Sequence, residues 1–109
     1  MIVSDDTVSK ALAYLAEDPH PIALAQKEVT DAENERDRVF AQAYAQMEGS
    51  IKEKEMACER EADVISERVR LANAVGELAR HRARVKAAEM IIEVWRSENA
   101  NARAAERVR

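Results

Sequence analysis

Few side chains in this sequence carry catalytic chemistry, and their spacing keeps them apart. His20 lies between Pro19 and Pro21, and His81 lies among arginines. Neither stands at a metal-ligand interval from Cys58 or from paired acids. Cys58 has no nearby histidine to activate its thiol. Glu53, Glu55, Glu59 and Glu61 alternate with Lys52, Lys54 and Arg60, the pattern of a salt-bridged helix face rather than a carboxylate site. No enzyme, metal site or cofactor is expected. The chemistry that remains is charge recognition. The window 78–88 holds no acid, and carries Arg80, His81, Arg82, Arg84 and Lys86. On a helix Arg80 and Arg84 share one strip, and Arg82 and Lys86 another, so phosphates along a polyanion have cations to meet. Arg96 and Arg103 are further candidates. The same bases also suit the acids Asp31, Glu33, Glu35 and Asp37, and both pairings stand open. Trp95, the only tryptophan, suits either base stacking or packing on an apolar stripe.

These residues need elements to hold them, and the spacing is helical throughout. Ser4, Asp5 and Asp6 offer caps and first-turn acids, and Val8, Leu12 and Leu15 recur behind them, which predicts a helix over about 6–17. Asp18-Pro19-His20-Pro21 stops it. Pro21 then opens a second helix over about 22–48, in which Ile22, Ala25, Val29, Ala32, Arg36, Val39, Ala43 and Gln46 alternate steps of three and four. Gly49 is its C-cap candidate. Ser50 with Glu53 makes a capping box for a corner helix over 51–59. A long helix over about 62–106 follows, striped by Leu71, Val75, Leu78, Val85, Ala88, Ile92, Trp95, Asn99 and Ala102, with Arg82 in the missing step. Nothing obvious breaks 51–106, so one helix and two both remain open there. Two long helices joined by a tight corner make an antiparallel hairpin. The expected fold is all-α: a long, coiled-coil-like antiparallel helical hairpin with a short N-terminal helix, in a single domain over 1–109.

Composition agrees. The 109 residues are 47% hydrophobic, 35% charged and 4% aromatic, with two Gly and two Pro, too few to punctuate a many-stranded sheet fold. Much of the apolar fraction is Ala, which buries little area, so burial is expected to finish through self-association. The overhang of the last helix carries Ile91, Ile92, Val94 and Trp95. Unless the N-terminal helix folds back on that patch, it must find another chain, which makes it the expected oligomer interface. Net charge is −4, but residues 1–49 hold ten acids and four bases, while 66–109 hold six acids and ten bases. Twelve of the 17 bases are Arg, the residue suited to planar anions. One cysteine, no signal-like start and no apolar run of membrane length lead to a cytoplasmic protein without membrane contact.

Three stretches carry a family resemblance. They are Tyr14-Leu15-Ala16-Glu17-Asp18-Pro19-His20-Pro21-Ile22-Ala23; Glu48-Gly49-Ser50-Ile51-Lys52-Glu53-Lys54-Glu55 with Ala57; and Ala87-Ala88-Glu89 through Trp95-Arg96-Ser97-Glu98-Asn99-Ala100-Asn101 with Arg103. Together they resemble small phage-encoded helical proteins of DNA recombination modules, described as UvsY-like recombination mediators. Ile51-Lys52 and Lys54 depart from the Val-Ala and Arg expected there. The resemblance implies a non-enzymatic homo-oligomer that binds single-stranded DNA and helps load a recombinase onto strands covered by single-strand-binding protein. Phosphate contacts would then fall to Arg80, Arg82, Arg84 and Lys86, with Arg96 and Arg103 next. The alternative is a helical protein-interaction or scaffold module that binds no nucleic acid and works through the acidic helix at Asp31, Glu33, Glu35 and Asp37.

Overall fold

Helix boundaries in this chain follow local capping chemistry. The structure is a computed structural model describing residues 3–108, and it holds four helices in the order α1 (Asp5–Leu15), α2 (Pro21–Ala45), α3 (Ile51–Glu59) and α4 (Ala62–Val108). No strand occurs among the described residues. The expected all-α fold with a short N-terminal helix is the one observed. Ser4 caps α1, its Oγ accepting the Thr7 N–H at 3.1 Å, with Asp5 and Asp6 in the first turn. Ser50 caps α3 in the same way, accepting the Glu53 N–H at 3.2 Å. Its hydroxyl donates in turn to Glu53 Oε1 at 3.1 Å, so the two side chains lock to each other.

Two ends differ from the sequence expectation. α1 stops at Leu15 and not at 17, with Ala16 as its cap. α2 stops at Ala45 and not at 48, tightening into three-residue turns as Gln46 N–H donates to Ala43 O and Met47 N–H to Tyr44 O. Gly49 therefore does not cap α2. It sits immediately before the α3 cap at φ +119°, and a Cβ built there would stand 2.8 Å from Glu53 Oε2. Glycine is used because the corner needs the backbone angle, while the Glu53 carboxylate could swing aside from a Cβ. The question of one helix or two over 51–106 resolves into two. Arg60 caps α3, and the Glu61 carbonyl accepts the Ile65 N–H that begins α4.

Packing divides the chain into two compact units. One is the stretch Ile22–Ala79, in which α2 and the first part of α4 run antiparallel across the α3 corner. Its core is thin: Ala32, Cys58, Val64, Ala74 and Leu78. Ala32 is fully covered on α2, and its small side chain lets the helices approach. The predicted α2 seam faces inward, with Ile22, Ala25, Val29, Val39 and Ala43 half-buried around Ala32. On α4 the inward row runs through Ala74, while Val75, expected in the stripe, is 49% exposed. Arg70 Nε donates to Glu28 Oε1 at 2.9 Å and ties the two helices together. At the corner, the Lys54 ammonium lies 5.2 Å from the centroid of the Tyr44 ring, a cation–π contact between α3 and α2.

The other unit joins the stretch up to Pro21 with that from Arg80 on. Here α1 lies antiparallel on the later part of α4, its Ala11 and Tyr14 packed against Ala88 and Ile92. Leu15, Val85 and Ile91 close the edges of that cluster. An 11-residue helix is too short to be stable alone in water, so this apolar contact is what holds α1 helical.

Candidate nucleic-acid interface

The basic run lies on α4, and helix geometry decides what it presents. A step of two residues turns about 200° around the axis, so the strips bearing Arg80 and Arg84 and bearing Arg82 and Lys86 stand roughly 160° apart. All four side chains are exposed. The strips have different neighbours. The Arg84 guanidinium lies over the Tyr14 ring at 4.0 Å from its centroid, a cation–π contact that fixes it on the α1 side. Arg80 approaches the His81 ring at 3.5 Å. Tyr14 also meets the edge of His20 with ring centroids 4.9 Å apart. The four cations therefore do not form one continuous surface.

Arg82 and Lys86 lie on the opposite strip, one turn apart and about 6 Å along the axis. Among the described residues neither has a carboxylate partner. Three of the four acids expected as alternative partners are occupied by their own neighbours on α2, while Glu33 is exposed. Asp31 accepts from Lys27 Nζ at 2.8 Å, Asp37 pairs with Arg36 at 3.1 Å, and Glu35 binds Arg38. The hydrogen bond that Lys27 donates to Asp31 raises the Lys27 pKa, and the one Glu35 accepts from Arg38 lowers the Glu35 pKa. The Arg70 pKa is raised, chiefly by its hydrogen bond to Glu28. Such exposed pairs contribute little each. They account for Asp31, Glu35 and Asp37 without the basic run.

The remaining candidates are less available. Arg96 Nη1 donates to Glu93 Oε1 at 2.9 Å, which neutralises it locally. Arg103 is exposed, and its Nε lies 3.4 Å from the Asn99 carbonyl. The apolar patch assigned to an oligomer interface is met from within the chain. Ile92 is buried against α1, Ile91 packs beside it, and Val94 and Trp95 are half-buried. Trp95 Nε1 donates to Asp5 Oδ1 at 3.2 Å, and Glu98 Oε2 accepts the Val3 N–H at 2.9 Å. α1 thus answers the need for cover that the sequence assigned to another chain. Trp95 holds the start of α1 with its only polar atom, which favours packing over base stacking. The Arg84–Tyr14 and Trp95–Asp5 contacts were not legible from spacing, because each joins residues 70 or more positions apart.

No group of three His, Cys, Asp or Glu among the described residues is placed to hold a metal ion. None of the described helices is long and apolar enough to cross a membrane. No family model, curated protein or solved structure matches the chain.

Proposed function

We propose that this chain is a non-enzymatic recombination mediator of the UvsY-like kind, working in the cytoplasm of a bacterial host. In this reading it self-associates, binds single-stranded DNA along α4 and assists recombinase loading on strands covered by single-strand-binding protein. The observation that carries the reading is the pair Arg82 and Lys86, exposed on one strip with no carboxylate to neutralise them, while Asp31, Glu35 and Asp37 are paired on α2. That pairing also weighs against the acidic helix as a docking surface. Arg80 and Arg84 lie on the opposite strip, where Arg84 is engaged by the Tyr14 ring, and exposed Arg103 extends the basic surface toward the C-terminus. Self-association multiplies a weak strip into many, so modest affinity per chain becomes avidity.

Fluorescence anisotropy of a labelled single-stranded oligonucleotide, titrated at several salt concentrations, tests this. Wild-type protein binds saturably, with affinity falling steeply as salt rises. Arg82→Glu with Lys86→Glu abolishes binding while helicity by circular dichroism is unchanged. Unchanged affinity in that variant removes the site. Absence of wild-type binding at low salt removes the reading itself. A strand-exchange assay on DNA covered by single-strand-binding protein then tests recombinase loading.

A further inference from the structure

We propose that the groove between α1 and the later part of α4 binds a small organic carboxylate, with its charge on Arg84 and Tyr14 and its apolar body over Ala11, Ala87, Ala88 and Ile91. All six residues lie in one unit of the chain and line the groove. Each helix contributes positions three and four apart, so the groove follows one face of each. Because the two helices are antiparallel, Tyr14 and Arg84 share one end, and Ile91 stands at the other. The groove holds about 250 Å³, the share of about eight waters at roughly 30 Å³ each. Drug-sized ligands take pockets of roughly 300–1,000 Å³, so this one suits a smaller body, such as a phenyl ring on a short acid arm.

Three observations select an anion with an apolar body. The first is charge. Lys10 and Arg84 line the groove, and no carboxylate does. Lys10 is paired with Asp6 at 3.1 Å, whereas among the described residues no acid meets Arg84. Arg84 is exposed, and its guanidinium rests over the Tyr14 ring at 4.0 Å from the centroid. Held flat in this way, it presents paired N–H donors that match the two oxygens of a carboxylate. The second observation is the Tyr14 hydroxyl. Tyr14 is 5% exposed, and its Oη is buried with no hydrogen-bond partner among the described residues. Phenylalanine would fill the same space without the cost of an unanswered polar atom, so the hydroxyl calls for a use. It belongs to the ring that Arg84 covers. A carboxylate held by the guanidinium therefore comes within reach of the Tyr14 O–H, which donates to it. The third observation is the floor. Ala11, Ala87 and Ala88 are small enough to leave a slot, and covering it removes apolar surface from water.

The site is independent of the nucleic-acid reading, which lies on the Arg82 and Lys86 strip. NMR titration of the isotope-labelled full chain with hydrocinnamate tests it, with the uncharged amide of the same acid as the control. Hydrocinnamate shifts the backbone amides of Ala11, Ala87, Ala88 and Ile91 saturably. The uncharged control binds about tenfold or more weaker, the loss of a charge-assisted contact. Arg84→Gln weakens acid binding by a similar factor and leaves the control unaffected. Tyr14→Phe weakens acid binding by about threefold or more, yet without ligand it melts no lower than wild type, because the hydroxyl has no partner to lose. A hydroxyl bonded within the fold would give the reverse. Arg82→Gln with Lys86→Gln leaves acid binding unchanged, which separates this site from the phosphate strip. Absence of saturable shifts at the four amides overturns the site. Equal binding of acid and control overturns the charge recognition, and needs no variant, so the test stands if Arg84→Gln fails to fold. A Tyr14→Phe protein that melts lower and binds the acid as wild type does overturns the role of the hydroxyl.

Discussion

Ile92→Ala is the sharpest test of how α1 is held. Ile92 is 8% exposed, in a buried cluster with Ala11, Tyr14 and Ala88. Truncating a buried Ile to Ala costs about 2–5 kcal/mol, less where neighbours can close the cavity. Here Leu15, Val85 and Ile91 border the cluster and can move in, which sets the expected loss near the low end, about 2–3 kcal/mol. At 1.4 kcal/mol per tenfold, that is a loss of roughly 30- to 140-fold in the equilibrium that keeps α1 docked. α1 is too short to stay helical once undocked, and it supplies 11 of the 92 residues in the four helices. Native-state hydrogen exchange reads the result amide by amide. Protection of the α1 amides falls by that factor, while amides of α2 keep theirs. Unchanged α1 protection would refute the claim that this cluster holds the helix, and equal loss across α2 would refute the independence of the two units.

Two further predictions concern the hairpin. Ser50→Ala removes the acceptor for the Glu53 N–H and costs about 1 kcal/mol, read as a lower denaturant midpoint at constant slope. Glu35 titrates below the ordinary carboxylate range because Arg38 hydrogen-bonds its charged form. The stability it contributes is present above the unfolded-state pKa and is lost as pH falls through the lower folded value. NMR titration of the Glu35 carboxyl shows this depressed midpoint, and Arg38→Gln moves it up toward the usual range. A midpoint unaffected by Arg38→Gln contradicts the assignment of cause.

How much was legible beforehand depended on range. The corner helix has the expected bounds 51–59, and its start was legible because Ser50 and Glu53 cap it within one turn, whereas no residue after Glu59 marks the break before α4. The fold-back of α1 was visible only as a condition attached to Ile91, Ile92, Val94 and Trp95. It depends on apolar complementarity between segments far apart in the chain, which periodicity does not encode. The basic window and its two strips were legible from helical spacing, but which strip meets α1 was not. Arg84 reads as a phosphate ligand until the Tyr14 ring is placed beneath it.

The thiol of Cys58 is fully covered at the α3 corner, and it is the only cysteine in the chain. A thiol-alkylating reagent therefore reaches sulfur only when that corner opens. Where reclosing is fast, the labelling rate equals the intrinsic rate multiplied by the opening equilibrium. Its dependence on denaturant then reports how much surface the opening exposes. Because α1 bears no thiol, labelling is silent to undocking of that helix. The molecule carries its own clock for the hairpin, set by one sulfur atom and needing no added probe.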